Sequence, residues 1–271
     1  MLVKDYMNEK VYVVGPEEPL AAIRNLFLKK KIGHVLVYDE KPLGIITERD
    51  LGKAFFEEKR PIDSVPASDV MSREIVTTKP DASVYQAAKK MDENRISMLP
   101  VESSGNIIGV ITNSDLLRFF IEHHSGDAIM SKIMNPEVIA TTENHSVFHA
   151  LKLMKEHDID RIVVKRDNEV VGILSDRDVS FSGLGLRPRS LTFIRKTVKG
   201  VRHENVKVFP LIVADLMKTR IESVKPFEDA SIGAKRILEK RVGSVLVMEN
   251  KALLGIATKT DYVKWLAEHQ E

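Results

Sequence analysis

Apolar and polar positions repeat one order of elements four times along the chain. A short extended piece comes first ("KVYVV", "EIVTT", "EVIATT", "RIESV"). A helix is then predicted, because apolar residues recur at helical spacing, as in Val84, Ala87, Ala88 and Met91, or Val147, Ala150, Leu151 and Met154. Two β-rich runs joined by a turn follow, such as "HVLVYDEKPLGIIT" and "LPVESSGNIIGVIT". A last helix begins at a short motif: "GIITERD", "GVITNSD", "GILSDRD" or "GIATKTD". Each unit therefore reads β-α-β-β-α.

Spacing makes the repetition specific. Met7, Met71, Met134 and Met217 serve as anchors. The motif glycine follows each after 37 or 38 residues (Gly44, Gly109, Gly172, Gly255), and the closing aspartate after 43 or 44 (Asp50, Asp115, Asp178, Asp261). The third unit departs from the pattern. After Asp178 comes "VSFSGLGLRPRS", where glycines and a proline stop the helix early, and the next anchor is 83 residues on rather than 63 or 64. The predicted organisation is repeat 1 over 1–60, repeat 2 over 64–124, repeat 3 over 127–180, a basic linker over 181–210 and repeat 4 over 211–271. One unit is too small to bury its sheet comfortably alone, so pairs are expected, 1 with 2 and 3 with 4.

Composition narrows the function classes. The net charge of +2 is too small to argue for nucleic acid or a membrane by itself. There is no cysteine, hence no disulfide, thiolate nucleophile or cysteine zinc site. The start "MLVKDYMNEK" has no apolar core of a signal peptide, and no apolar run approaches the ~18 residues of a membrane span, so a cytoplasmic protein is expected. Neither a phosphate-binding G-x-x-x-x-G-K-[ST] loop nor a G-x-S-x-G elbow occurs, and no enzyme is expected. His145 and His149 have i, i+4 spacing but no evident third ligand, so no metal site is expected. The 180–212 stretch carries Arg187, Arg189, Arg195, Lys196, Lys199, Arg202 and Lys207 against Glu204. It reads as a solvated linker, or alternatively as an arm for nucleic acid.

The four motifs, in tandem β-α-β-β-α units, resemble the cystathionine-β-synthase (CBS) domain family. The resemblance covers nearly the whole chain outside 180–212. It implies an α+β fold of four CBS repeats arranged as two tandem Bateman modules in a disc-like assembly. Four units in one chain resemble the gamma subunit of AMP-activated protein kinase and its stand-alone archaeal relatives, which bind adenine nucleotides.

Two readings of the motif stand side by side. Thr47 with Asp50 three residues on is nearly a helix capping box, as are Thr112 with Asp115, Ser175 with Asp178 and Thr258 with Asp261. Equally, one carboxylate can accept from both ribose hydroxyls, while a neighbouring hydroxyl and a helix N-terminus can meet phosphate. The resemblance implies the second role for all eight residues. It also implies basic residues in the "I-x-x-h-x-V" stretch, where His34 and Arg161 match and Met98 and Ser244 do not; no copy keeps the His-Arg pair of the kinase subunits. Lys31, Arg95 and Arg241 are nearby substitutes. Thr77 and Ser223 match the family's base-side threonine, where Val13 and Ala140 depart. The expected function is a regulatory protein taking AMP, ADP or ATP as ligand, with no catalytic cofactor. It would act on an unidentified regulated protein, with a homodimer open. S-adenosylmethionine and a nucleic-acid or ribosome-associated role are the alternatives.

Overall fold

A computed structural model describes residues 1–57, 60–182, 192–194 and 208–269. Repeat 1 comprises β1 (Val13–Val14), α1 (Leu20–Lys30), β2 (His34–Asp39), β3 (Lys41–Thr47) and α2 (Glu48–Glu57). Repeat 2 comprises α3 (Val84–Asn94), β4 (Met98–Ser103), β5 (Asn106–Thr112) and α4 (Asn113–His123), and the short α5 (Met130–Ile133) follows it. Repeat 3 comprises β6 (Ala140–Thr142), α6 (Val147–Glu156), β7 (Arg161–Arg166), β8 (Glu169–Ser175) and α7 (Asp176–Ser180). Strands β9 (Thr192–Ile194) and β10 (Val208–Pro210) pair antiparallel in the insertion. The basic residues named in this segment lie outside the described residues. Repeat 4 comprises β11 (Ser223–Val224), α8 (Ala230–Glu239), β12 (Ser244–Glu249), β13 (Ala252–Thr258) and α9 (Lys259–Glu268).

The predicted order recurs, with one difference. In repeat 2 the first extended piece is not a strand; Thr78 forms a single parallel bridge to Val101. The hairpins close as their sequences demand. Asp167 and Asn168, like Asn250 and Lys251, both take positive φ, as a tight two-residue turn between right-twisted strands requires. Each hairpin bulges at one place, just after Val37, Val101, Val164 or Val247, and the motif glycine lies opposite that valine.

The anchor methionines explain those glycines. A Cβ on Gly44 would lie 2.7 Å from the Ser72 carbonyl oxygen and 2.8 Å from Met71 Sδ. On Gly109 it would meet Asn8 and Met7, on Gly172 Met217 and Lys218, and on Gly255 Met134 and Asn135. A side chain there would force the crossing segment away. That segment is held by exchanged backbone bonds, such as Lys218 N–H to Ile173 O at 2.8 Å and Ile173 N–H to Lys218 O at 3.0 Å. Each anchor thus packs on the hairpin of a different repeat from the one it opens.

The chain divides into two compact units. One contains Met1–Val13, Arg73–Val138 and Arg220–Glu271, the other Val14–Ser72 and Ile139–Thr219. The first unit therefore joins repeats 2 and 4. Its core runs continuously from Val84, Met91 and Phe119 to Ile237, Tyr262 and Leu266, all essentially buried. The second joins repeats 1 and 3, where α2 packs on α7. Leu20, Ile23, Phe27 and Leu36 are buried in repeat 1, and Val147, Met154 and Ile162 in repeat 3. No described helix is long and apolar enough to cross a membrane.

Candidate functional site

At the strand-to-helix junction the motif builds the same arrangement four times. The Thr or Ser ends the hairpin in extended conformation and the aspartate sits in the first helical turn. One carboxylate oxygen, Oδ2, accepts from the backbone N–H and the hydroxyl of the capping residue. These distances are 2.8 and 2.7 Å at Thr47–Asp50 and 2.8 and 2.7 Å at Thr112–Asp115. They are 3.0 and 2.5 Å at Ser175–Asp178 and 2.6 and 2.7 Å at Thr258–Asp261. In return the hydroxyl oxygens of Thr47 and Ser175 accept from the aspartate N–H at 3.3 Å, and that of Thr112 from Ser114 N–H at 3.2 Å. The motif is thus a complete helix cap at Thr47, Thr112 and Ser175, while at Thr258 only the aspartate half forms; in all four the hydroxyl proton is committed to the carboxylate.

The second oxygen, Oδ1, is where the repeats diverge. At Asp115 it accepts from the Arg118 guanidinium one turn along α4. At Asp178 it accepts from Lys218 Nζ at 2.6 Å. Both carboxylates are nearly buried (5% and 9% exposed) while both cations are mostly exposed (55% and 64%), so the cations lie on the outer side of the acids.

Strand register brings the expected basic position to the motif. His34 stands directly across the hairpin from Thr47, Met98 from Thr112, Arg161 from Ser175 and Ser244 from Thr258. Opposed residues of an antiparallel pair have Cβ atoms about 5 Å apart, so His34 and Arg161 are true neighbours of the motif hydroxyls. Arg161 is engaged bidentately by Asp160, at 2.8 and 2.6 Å.

The CBS domain family model matches residues 3–57, 67–122, 130–182 and 213–268. The chain belongs to the CBS domain family. An uncharacterized protein of Methanocaldococcus jannaschii, MJ1404, is 24% identical over 98% of this chain, which spans only 62% of that relative's length. MJ1225 from the same organism, whose solved structure is described as that of a proposed archaeal homologue of g-AMPK, superposes with a TM-score of 0.81 at 18% identity, covering 98% of this chain and 100% of that one. A conserved protein of Pyrococcus horikoshii, at the same identity and coverages, gives 0.67. These likenesses establish the tandem CBS fold.

The remaining candidates of this CBS protein sit apart from the caps. Lys31, Arg95 and Arg241 occupy left-handed turns just past the first helix of their repeats (φ 56°, 53° and 53°), with exposed side chains. Thr77 donates to Glu102 Oε2 at 3.3 Å, and Ser223 lies in β11 beside Leu246 of β12, its carbonyl accepting from Arg236. His145 Nδ1 is 2.9 Å from Thr141 Oγ1, and its ring packs edge-on against His149. Among the described residues no group of three metal-type side chains occurs.

Sequence reasoning missed the two cations on the aspartates, and also a charged cluster in repeats 1 and 3. There, Arg49 pairs with Asp158 and Arg177 with Glu48. Burial, then the nearby Asp160 charge, pushes Asp176 up to about 7 against the pull of Arg49, Arg161 and Lys53. For Asp160 burial works upward too, but Arg161 and Arg49 outweigh it and hold that carboxyl below the ordinary range. The signal was present in the two residues between hydroxyl and aspartate: Glu48-Arg49 and Asp176-Arg177 are charged, whereas Asn113-Ser114 and Lys259-Thr260 are mostly neutral.

Proposed function

We propose that this CBS protein is a non-catalytic regulatory sensor of adenine nucleotides, AMP, ADP or ATP, with the motif aspartates receiving the ribose hydroxyls. The observation that carries the reading is the split use of each carboxylate. Oδ2 is locked by two short bonds to the cap, so the group is oriented before any ligand arrives. The outward lone pairs at Asp115 and Asp178 are met by exchangeable, solvent-exposed cations rather than by buried backbone. A preoriented acceptor spends less binding energy on ordering, and hydrogen bonds to a charged group contribute about 1.5–3 kcal/mol each. Phosphate would meet the helix N-terminal amides and, in repeats 1 and 3, His34 and Arg161. Ligand acts on the regulated protein by preferring one arrangement of the repeats.

Calorimetric titration with AMP, ADP and ATP tests this. Replacing Asp50, Asp115, Asp178 and Asp261 singly by Asn keeps a cap acceptor but weakens the ribose contact. Loss of about one equivalent of binding, or a tenfold or larger fall in affinity, is expected in at least one variant; unchanged isotherms in all four refute the reading. The absence of a cation across from Thr258, where Ser244 stands, favours one second reading for that repeat: an adenosyl ligand without phosphate, such as S-adenosylmethionine.

A further inference from the structure

One position in the fold differs among the repeats in a way that bears on ligand charge. The residue after each anchor methionine pairs with the residue after a motif glycine: Ser72 with Ile45, Asn8 with Val110, Lys218 with Ile173 and Asn135 with Ile256. Asn8 and Asn135 turn their side-chain oxygens back to accept from their own chains, at Lys10 N–H and Glu137 N–H, both 2.9 Å. Lys218 alone carries a charge at this position, and it reaches Asp178. In repeat 2 the cation comes instead from Arg118, three residues after Asp115; the same offset in repeat 3 gives Phe181. Two unrelated positions thus place a basic side chain on the outward carboxylate oxygen. Beside Arg118 an open surface depression is lined also by Tyr6, Asn8, Lys10 and Glu122; Asp115 is not part of its lining.

Resting on the ribose reading above, we propose that Arg118 and Lys218 are charge-selecting gates, so that the sites at Asp115 and Asp178 accept nucleotides and discriminate against neutral nucleosides. A ribose diol needs the same lone pairs that each cation holds. A neutral nucleoside displaces the cation from a buried carboxylate and offers it nothing. A nucleotide displaces it and supplies a phosphate as its new partner. The flexible lysine stem and the one-turn offset of the arginine allow that transfer without backbone movement. Separating an exposed pair costs little, but here the acids are nearly buried, which strengthens the competition.

Adenosine and AMP, which differ only in the phosphate, are the probes. In titrations of the full chain, the double variant R118Q/K218M should bind adenosine several-fold more tightly and AMP several-fold more weakly than wild type. The ratio of the two affinities should fall at least fivefold. D115N and D178N are measured alongside. If each removes binding while the ratio is unmoved in R118Q/K218M, or if wild type binds adenosine as tightly as AMP, the gating proposal is overturned and the ribose reading stands. If neither changes AMP binding, the ribose role of these two aspartates has failed as well, and the proposal falls with it. Circular dichroism and the melting temperature confirm that the variants compared are folded.

Discussion

The unit that joins repeats 2 and 4 packs its helices through aromatic rings, whereas in the unit that joins repeats 1 and 3 a charged cluster is added to apolar packing. In the first, α4 and α9 are long, and Phe120 meets Tyr262 and Trp265 edge-to-face at 5.0 and 5.1 Å. Tyr262 is buried and donates to Ala230 O at 2.8 Å, while His124 is held between Tyr85 and Asp127. In the second, α7 ends after five residues, and among the described residues Leu51 and Ala54 of α2 and Val179 of α7 are buried. There Asp176 Cβ and Ser180 Oγ stand 3.4 Å from where a Cβ on Gly52 would be, an ordinary contact distance, and Arg49 pairs with Asp158 and Arg177 with Glu48. The same repeat therefore yields two kinds of helix pairing, and helix length together with two motif residues decides which. Apolar burial neither titrates nor is screened by ionic strength; charged groups do and are.

Removing Phe120 is expected to have the largest effect. Phe120→Ala should cost the repeat 2–repeat 4 unit about 3–5 kcal/mol in urea unfolding. Trp265 is the single tryptophan and lies in that unit, so its fluorescence isolates the transition. A loss below about 1 kcal/mol would contradict the aromatic account. Next, Gly172→Ala in the other unit should cost about 1–3 kcal/mol by overpacking Met217 and the Lys218 carbonyl, read as a lower midpoint by circular dichroism.

A smaller effect follows from Asp176. Its folded pKa of about 7 exceeds the ordinary carboxylate value, so between about pH 4 and pH 7 the folded state keeps a proton that the unfolded chain has lost. Stability of the repeat 1–repeat 3 unit should therefore fall as pH rises through that window and level off above it. Asp176→Asn should flatten the dependence, and Trp265 fluorescence should report none of it. Asp160 works in the opposite sense, its contribution being lost only as pH falls below the ordinary carboxylate range. The smallest change expected is from Glu48→Gln, which breaks the half-exposed pair with Arg177 for about 0–1 kcal/mol, less at high salt.

Much of the site was legible along the chain. The hydroxyl three residues before an aspartate announces a cap, and the cap forms fully at 47, 112 and 175 and by its aspartate half at 258. His34 and Arg161 fall opposite their hydroxyls because a tight hairpin of known turn fixes its own register. Lys31, Arg95 and Arg241 were read from proximity to the turn; their left-handed backbone, normally a glycine position past a helix end, gave no sequence sign beyond the end of apolar spacing.

What the sequence by itself determined is everything local: four repeats, their element order, the tight turns, the caps, and the early stop after Asp178. These depend on residues within about one turn or one strand of each other, so periodicity and spacing carry them. Tertiary structure alone decided the rest. It set Met7, Met71, Met134 and Met217 against glycines of other repeats, joined alternate repeats through their helices, and brought Lys218 onto Asp178 from 40 positions away. Such contacts depend on how a buried face finds its partner, and an amphipathic pattern states that a face must be covered without naming what covers it.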